Sequence, residues 1–175
     1  MGQINVTANG IVPVIQQPTD MTCWATAATI LNNWKNSQTV DIPTVLSTAG
    51  TDYVNMFQNN QGLGGDQKPA FLIAMGLTAE PPMDFSIDGW GQLISTYGPL
   101  WVTTNEGGQL FSVHARIIKG INGDGNSDST FVDVVDPGTG SNYTESVTDF
   151  MNKFDDIARQ ELKDGADFRP QVVHY

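Results

Sequence analysis

The stretch QQPTDMTCWATAATILNNW, residues 16–34, decides how this chain folds. Gln16-Gln17-Pro18-Thr19-Asp20 is a polar turn. Beyond it, Ala27, Ile30, Leu31 and Trp34 fall at the i, i+3, i+4, i+7 spacing of a buried helical face, which predicts a helix over about residues 22–35. Asp20 and Thr22 are both candidates for its N-cap. Cys23 therefore stands at or near the helix start, where backbone N–H groups and the helix dipole favour negative charge, hence a thiolate.

Around this helix the pattern changes from one half of the chain to the other. Residues 4–15 are β-branched and broken by Gly10 and Pro13, so they read as extended. Short helices are predicted near 42–48, opened by Asp41 and Pro43, near 53–59, opened by Thr51 or Asp52, and near 67–75, with Asp66 as its cap. The glycine-rich loop 61–65 precedes the last of these. Ser86 caps a helix that presents Ile87, Trp90, Ile94 and Tyr97 on one face and ends at Gly98-Pro99. After Pro99 the texture is strand: 100–104, 114–121 and 130–136, the last two joined by the turn-rich NGDGNSDS. A helix near 147–158 and a short final strand in QVVHY complete the chain. Helices followed by strands imply an α+β fold with an antiparallel sheet. A length of 175 residues suits one domain, 1–175.

The charge balance excludes several functions. Eight Lys and Arg against 19 Asp and Glu give a net charge of −11, so no basic patch exists to release phosphate counterions, and the expectation is no nucleic acid and no anionic membrane surface. No apolar run approaches the roughly 18 residues of a membrane helix. The N-terminal MGQINVTANG has no basic segment and no apolar segment of the secretory kind. The expected location is the cytoplasm, or outside the cell by a signal-peptide-independent secretion system. A single cysteine forbids an intrachain disulfide and a Cys-based zinc cluster; no metal and no cofactor is expected.

Scarcity narrows the chemistry. Nucleophilic cysteine catalysis needs a thiolate, a base and a group that orients the base. The bases available are His114 and His174, and His174, next to the last residue, is the poorer because chain ends fray. If strands 114–121 and 130–136 pair through their hairpin, the end of the second lies beside the start of the first, which brings Asp136 next to His114. A carboxylate there holds the imidazole tautomer and its charged form. Gln17, with Gln16 as the alternative, could donate to a developing oxyanion alongside the Cys23 backbone N–H.

Gln17, five residues, then Cys23-Trp24-Ala25, followed by His114, a hairpin and Asp136, resembles the papain-like cysteine protease signature. The resemblance extends through Gly98-Pro99-Leu100-Trp101-Val102 and Val135-Asp136-Pro137 and spans about residues 11–140. It is nearest to the short bacterial branch of the superfamily, which holds avirulence-effector proteases and peptidases similar to bacteriocin-processing domains. Met21-Thr22 precede Cys23 where papain itself has Gly-Ser, and Asp136 stands where papain has Asn. The resemblance implies a single papain-like peptidase domain, an N-terminal helical half whose central Cys-bearing helix packs on a C-terminal antiparallel sheet. It implies acyl transfer to Cys23, with His114 as base and then acid, Asp136 as its orienter, and Gln17 in the oxyanion hole. It also implies a protein or peptide substrate, a bacterial effector or toxin role and, for a toxin, an inhibitory or immunity partner covering Cys23.

Four alternatives stay open from the residues alone. The same Cys, His, Asp order serves deamidases, transglutaminase-like enzymes and peptidoglycan amidases, and an inactive binding homologue would keep it as a remnant. Asn122, Asp124, Asn126 and Asp128 alternate as in a calcium loop but lack its Gly and Glu positions, so a hairpin turn is expected. Ser112 has no nucleophile-elbow context.

Overall fold

The strands at 100–105, 113–123 and 130–136 are apolar on both faces, and this forces helices onto both sides of the sheet. The computed structural model describes residues 2–107, 113–165, 167 and 169–175. The elements run β1 (Ile4–Thr7), α1 (Cys23–Asn36), α2 (Ile42–Ser47), α3 (Thr51–Gln58), α4 (Lys68–Ala74), β2 (Thr78–Ala79), α5 (Ile87–Tyr97), β3 (Leu100–Asn105), β4 (Val113–Gly123), β5 (Thr130–Asp136), β6 (Ser141–Ser146), α6 (Val147–Asp164) and β7 (Val172–His174). The strands pair antiparallel in the order β2-β7-β3-β4-β5-β6, and β1 pairs with the far end of β4. The fold is α+β and papain-like.

Alternation along each strand sends successive side chains to opposite layers. Trp101, Ile117, Val135 and Val173 share a core with Trp24, Ile30 and Leu31 of α1 and Phe71 of α4. Leu100, Val102, Ile118, Val134 and Val172 share a second core with Trp90 and Ile94 of α5 and Phe150 and Phe154 of α6. A bulge between Ile118 and Gly120 shifts the pleat by one residue. Ile121 therefore joins the same core as Ile118.

Side-chain caps set three of the six helix starts among the described residues. Asp41 Oδ1 accepts the Thr44 N–H at 2.8 Å, Ser86 Oγ the Gly89 N–H at 3.1 Å, and Ser146 Oγ the Asp149 N–H at 3.1 Å. At α1 neither candidate caps: Thr22 is the N-cap residue without a side-chain cap bond, and its hydroxyl instead donates to Thr19 O at 2.8 Å. Gln67 rather than Asp66 is the N-cap residue of α4, again with no side-chain bond.

Four details differ from the sequence expectation. Of residues 4–15 only Ile4–Thr7 is strand. β2 was not expected, and neither was β6, whose SNYTES is polar because it forms the sheet edge, where a hydrophobic alternation would invite another chain. α6 runs to Asp164, past the last apolar contact, through good helix formers and a left-handed Gly165 stop. Among the described residues no helix is long and apolar enough to cross a membrane.

Phe150 is fully buried against Trp90, ring centroids 5.0 Å apart. Phe150→Ala should cost about 3–5 kcal/mol in urea unfolding. Leu162→Ala, at a side chain 69% exposed, should change stability by less than about 0.5 kcal/mol.

Candidate active site

Cys23 is the first residue of α1. With no side chain capping that end, the first-turn N–H groups keep their hydrogens directed at whatever sits beside the sulfur. The next residue fixes the helix start: Trp24 is buried, its ring stands edge-on to Phe71 at 5.1 Å, and its Nε1 donates to Gln61 O at 3.0 Å. Cys23 itself is partly exposed and lines a cleft of about 780 Å³ between the start of α1, the loop 62–65, β3, the end of α6 and residues 169–171.

Sheet register brings His114 and Asp136 together. β4 and β5 pair antiparallel with Ile117 opposite Val135, so the beginning of β4 and the end of β5 lie together. His114 Nε2 is 2.7 Å from Asp136 Oδ1. The same oxygen accepts the Gly138 N–H at 2.8 Å. A carboxylate that only accepts requires the proton on Nε2, which leaves the Nδ1 lone pair of a neutral ring for the thiol proton. Cys23 stands near enough to His114 to act on its ring electrostatically. Burial pulls the imidazole down, but the bond it donates to Asp136 and the influence of Cys23 and of the Asp136 charge outweigh it and push His114 up to about 9. Burial likewise opposes ionisation of Asp136, yet the bond to His114, its charge, the Gly138 N–H and the Arg116 charge hold that carboxyl below its ordinary value. The turn is packed tightly: a Cβ on Gly138 would sit 3.1 Å from His114 Nε2.

Gln17 lies beside this group, and its amide is already engaged. Its backbone N–H donates to Pro137 O at 2.8 Å, tying the turn before α1 to the turn after Asp136. Its side-chain Nε2 donates to Thr19 O at 2.9 Å and Asp20 O at 3.0 Å, while Oε1 is buried without a hydrogen-bond partner among the described residues. Both amide hydrogens are spent, so an oxyanion bond from Gln17 requires the release of one carbonyl. Gln16, the alternative donor, is exposed, and its Nε2 lies 3.5 Å from Gly138 O.

The structure adds two residues that sequence reasoning passed over. Arg116, fully buried two positions after His114, binds Thr104 Oγ1 and Glu106 through Nε at 3.0 Å each and Tyr143 through Nη1 at 2.9 Å, and it pairs with Glu145. An arginine inside HARIIKGI, a strand apolar on both sides, was the available signal of a buried ion network. Lys68, at the start of α4, reaches into the cleft, where Nζ donates to Pro170 O at 3.0 Å and Thr103 Oγ1 at 3.3 Å and stands 5.0 Å over the Trp101 ring. Burial lowers Lys68 to about 8, opposed by negative charge at Cys23 and at Glu161. No sequence pattern marks it.

His174 is not frayed as expected. It is 3% exposed in β7, stacks on Tyr97 at 3.6 Å, and its Nε2 lies 2.9 Å from Glu80 Oε1, so it serves the far end of the sheet and not this cleft. Asp124 closes the β4–β5 turn by accepting from Asn126 N–H at 2.9 Å and Ser129 Oγ at 2.6 Å. Ser112 lies outside the described residues.

A cysteine at a helix start, a histidine at a strand start and a carboxylate at the end of the neighbouring strand, on an α+β frame of this topology, define a papain-like fold and site. A family model described as papain-like cysteine protease AvrRpt2 matches residues 6–155, a span that includes Gln17, Cys23, His114 and Asp136. The chain belongs to this papain-like cysteine protease family. A search of curated proteins found no match to it.

The His114–Asp136 bond makes a pH-dependent contribution to stability. The raised imidazole stabilises the fold fully below its ordinary 6.5 and loses that contribution as pH rises through about 9. The depressed carboxyl contributes above its ordinary 3.8 and loses its part as pH falls below that value. Asp136→Asn should therefore cost about 1.5–3 kcal/mol near pH 5.5. The difference in urea midpoint from wild type should shrink toward pH 10.

Proposed function

We propose that the chain is a cysteine endopeptidase that cleaves protein or peptide backbones through Cys23, His114 and Asp136. The observation that carries this is the 2.7 Å bond between Asp136 Oδ1 and His114 Nε2, on a strand whose Val113 and Ala115 line the same cleft as Cys23. His114 takes the Cys23 proton on Nδ1, and the resulting imidazolium is held by the Asp136 carboxylate. The thiolate sulfur attacks the scissile carbonyl carbon, and the C=O electron pair moves onto oxygen. The Cys23 backbone N–H, which as a first-turn donor has no acceptor within the helix, donates to that oxyanion. Gln17 becomes the second donor when its amide gives up Thr19 O or Asp20 O. As the tetrahedral centre collapses, the C–N bond breaks and His114 returns the proton to the leaving amine. Water, deprotonated by the now neutral His114, then adds to the thioester and releases the carboxylic acid and the free thiol.

The test combines a chemical and an enzymatic measurement. At pH 6, iodoacetamide should label Cys23 faster than it labels a free model thiol, and His114→Ala should remove the advantage. A peptide library incubated with the protein should yield new backbone termini. Cys23→Ala should abolish them, and His114→Ala should slow cleavage by roughly 10²–10⁴-fold. Ammonia release with intact backbones would assign the site to a deamidase or amidase instead. Ordinary labelling together with an unreacted library would leave a non-catalytic homologue.

A further inference from the structure

Among the described residues Lys68 is a cation without an anion. An ammonium has three donors, and here two are used, both on neutral oxygens: the Thr103 hydroxyl and the Pro170 carbonyl. Beneath it lies the face of Trp101, the best of the aromatic surfaces for a cation. Among the described residues no carboxylate stands within ion-pair distance of Nζ. Glu161, whose charge Lys68 feels across the cleft, is turned to Arg169: it accepts the Arg169 N–H at 3.1 Å, and its other oxygen is 3.9 Å from Arg169 Nε. Holding a partly buried charge against neutral partners costs stability that a lysine on open surface would not. The chain does this in the cleft that Cys23 lines, on a protein whose net charge of −11 offers carboxylates almost everywhere else.

We infer that Lys68, with Thr103 and the Trp101 face, forms a carboxylate-binding subsite next to Cys23, which selects a substrate carrying an acidic side chain beside the scissile bond. The unspent ammonium donor supplies the hydrogen bond, and the flanking Trp101, Ala115 and Pro170 form a wall that lowers the local dielectric around it. The assignment rests on Cys23 being the nucleophile of the site. It adds a preference that the triad alone does not contain.

Two alkylating agents of nearly equal size separate this claim from the proteolytic one. Iodoacetate carries a carboxylate and iodoacetamide does not, and both report on Cys23 whether or not a peptide is cleaved. At pH 6.5, below the value of about 8 at which Lys68 discharges, the iodoacetate-to-iodoacetamide rate ratio should be roughly tenfold higher in wild type than in Lys68→Met. Lys68→Arg should restore most of it. His114 is present in all three proteins, so its own charge cancels from the comparison. If Lys68→Met does not fold, Lys68→Gln carries the same comparison. In a peptide library with matched Glu/Gln and Asp/Asn pairs, wild type should prefer the acid at one position by about tenfold in kcat/KM, and Lys68→Met should lose that preference. A ratio unchanged within twofold in the neutral variants, or cleavage by wild type with no acidic preference at any position, overturns the subsite. A library left uncut while the ratio still depends on Lys68 overturns the peptidase and keeps the carboxylate site.

Discussion

The hydrogen bond between His114 Nε2 and Asp136 Oδ1 is the contact on which the rest depends. It exists because two adjacent antiparallel strands begin and end at the same edge of the sheet, so it is a product of register. A one-residue slip of β5 against β4 would turn Asp136 to the opposite face. That register is fixed by the two cores, since Val134 and Val135 must each find their own layer. Packing energy spread over both faces thus holds a single polar contact in place, and that contact in turn fixes which imidazole nitrogen carries the proton toward Asp136.

The other half of the site comes from the opposite end of the chain and is held by different forces. The start of α1 is pinned by Trp24, through its edge contact with Phe71 and its bond to the 61–65 loop. The turn before it is bound to the turn after Asp136 through Gln17 and Pro137. The helix and the sheet edge therefore share one backbone hydrogen bond close to the site as well as the first hydrophobic core. Behind the base, Arg116 joins β4 to Glu106 and Glu145 and adds positive charge that favours the ionised Asp136. The site gathers positive charge, from His114, Arg116 and Lys68, within an otherwise acidic molecule.

Much of this was legible in the residues because it follows from short-range rules. The spacing of Ala27, Ile30, Leu31 and Trp34 placed Cys23 at a helix start, and the hairpin between two apolar strands placed Asp136 beside His114. What could not be read depended on long-range partners. β6 is polar because it is an edge, and nothing local distinguishes it from a loop. Thr22 looks like a cap but gives its hydroxyl to Thr19. The position of Gln17 in sequence suggested a free donor, yet its amide is occupied by carbonyls two and three residues on. His174 seemed free to fray until the sheet showed it stacked on Tyr97, from an element far earlier in the chain. Lys68 stands about forty residues from Cys23 in sequence and shares its cleft only through the fold.

The claim that carries the rest is that the His114 ring is held as an imidazolium at neutral pH by the carboxylate behind it. The most direct measurement is an NMR titration of the His114 imidazole in wild type and in Asp136→Asn. The account predicts a ring that stays protonated through neutrality and titrates near 9 in wild type, and at a clearly lower pH once the carboxylate is removed. A wild-type ring that titrates at or below its ordinary 6.5, unaffected by the change at 136, would contradict it.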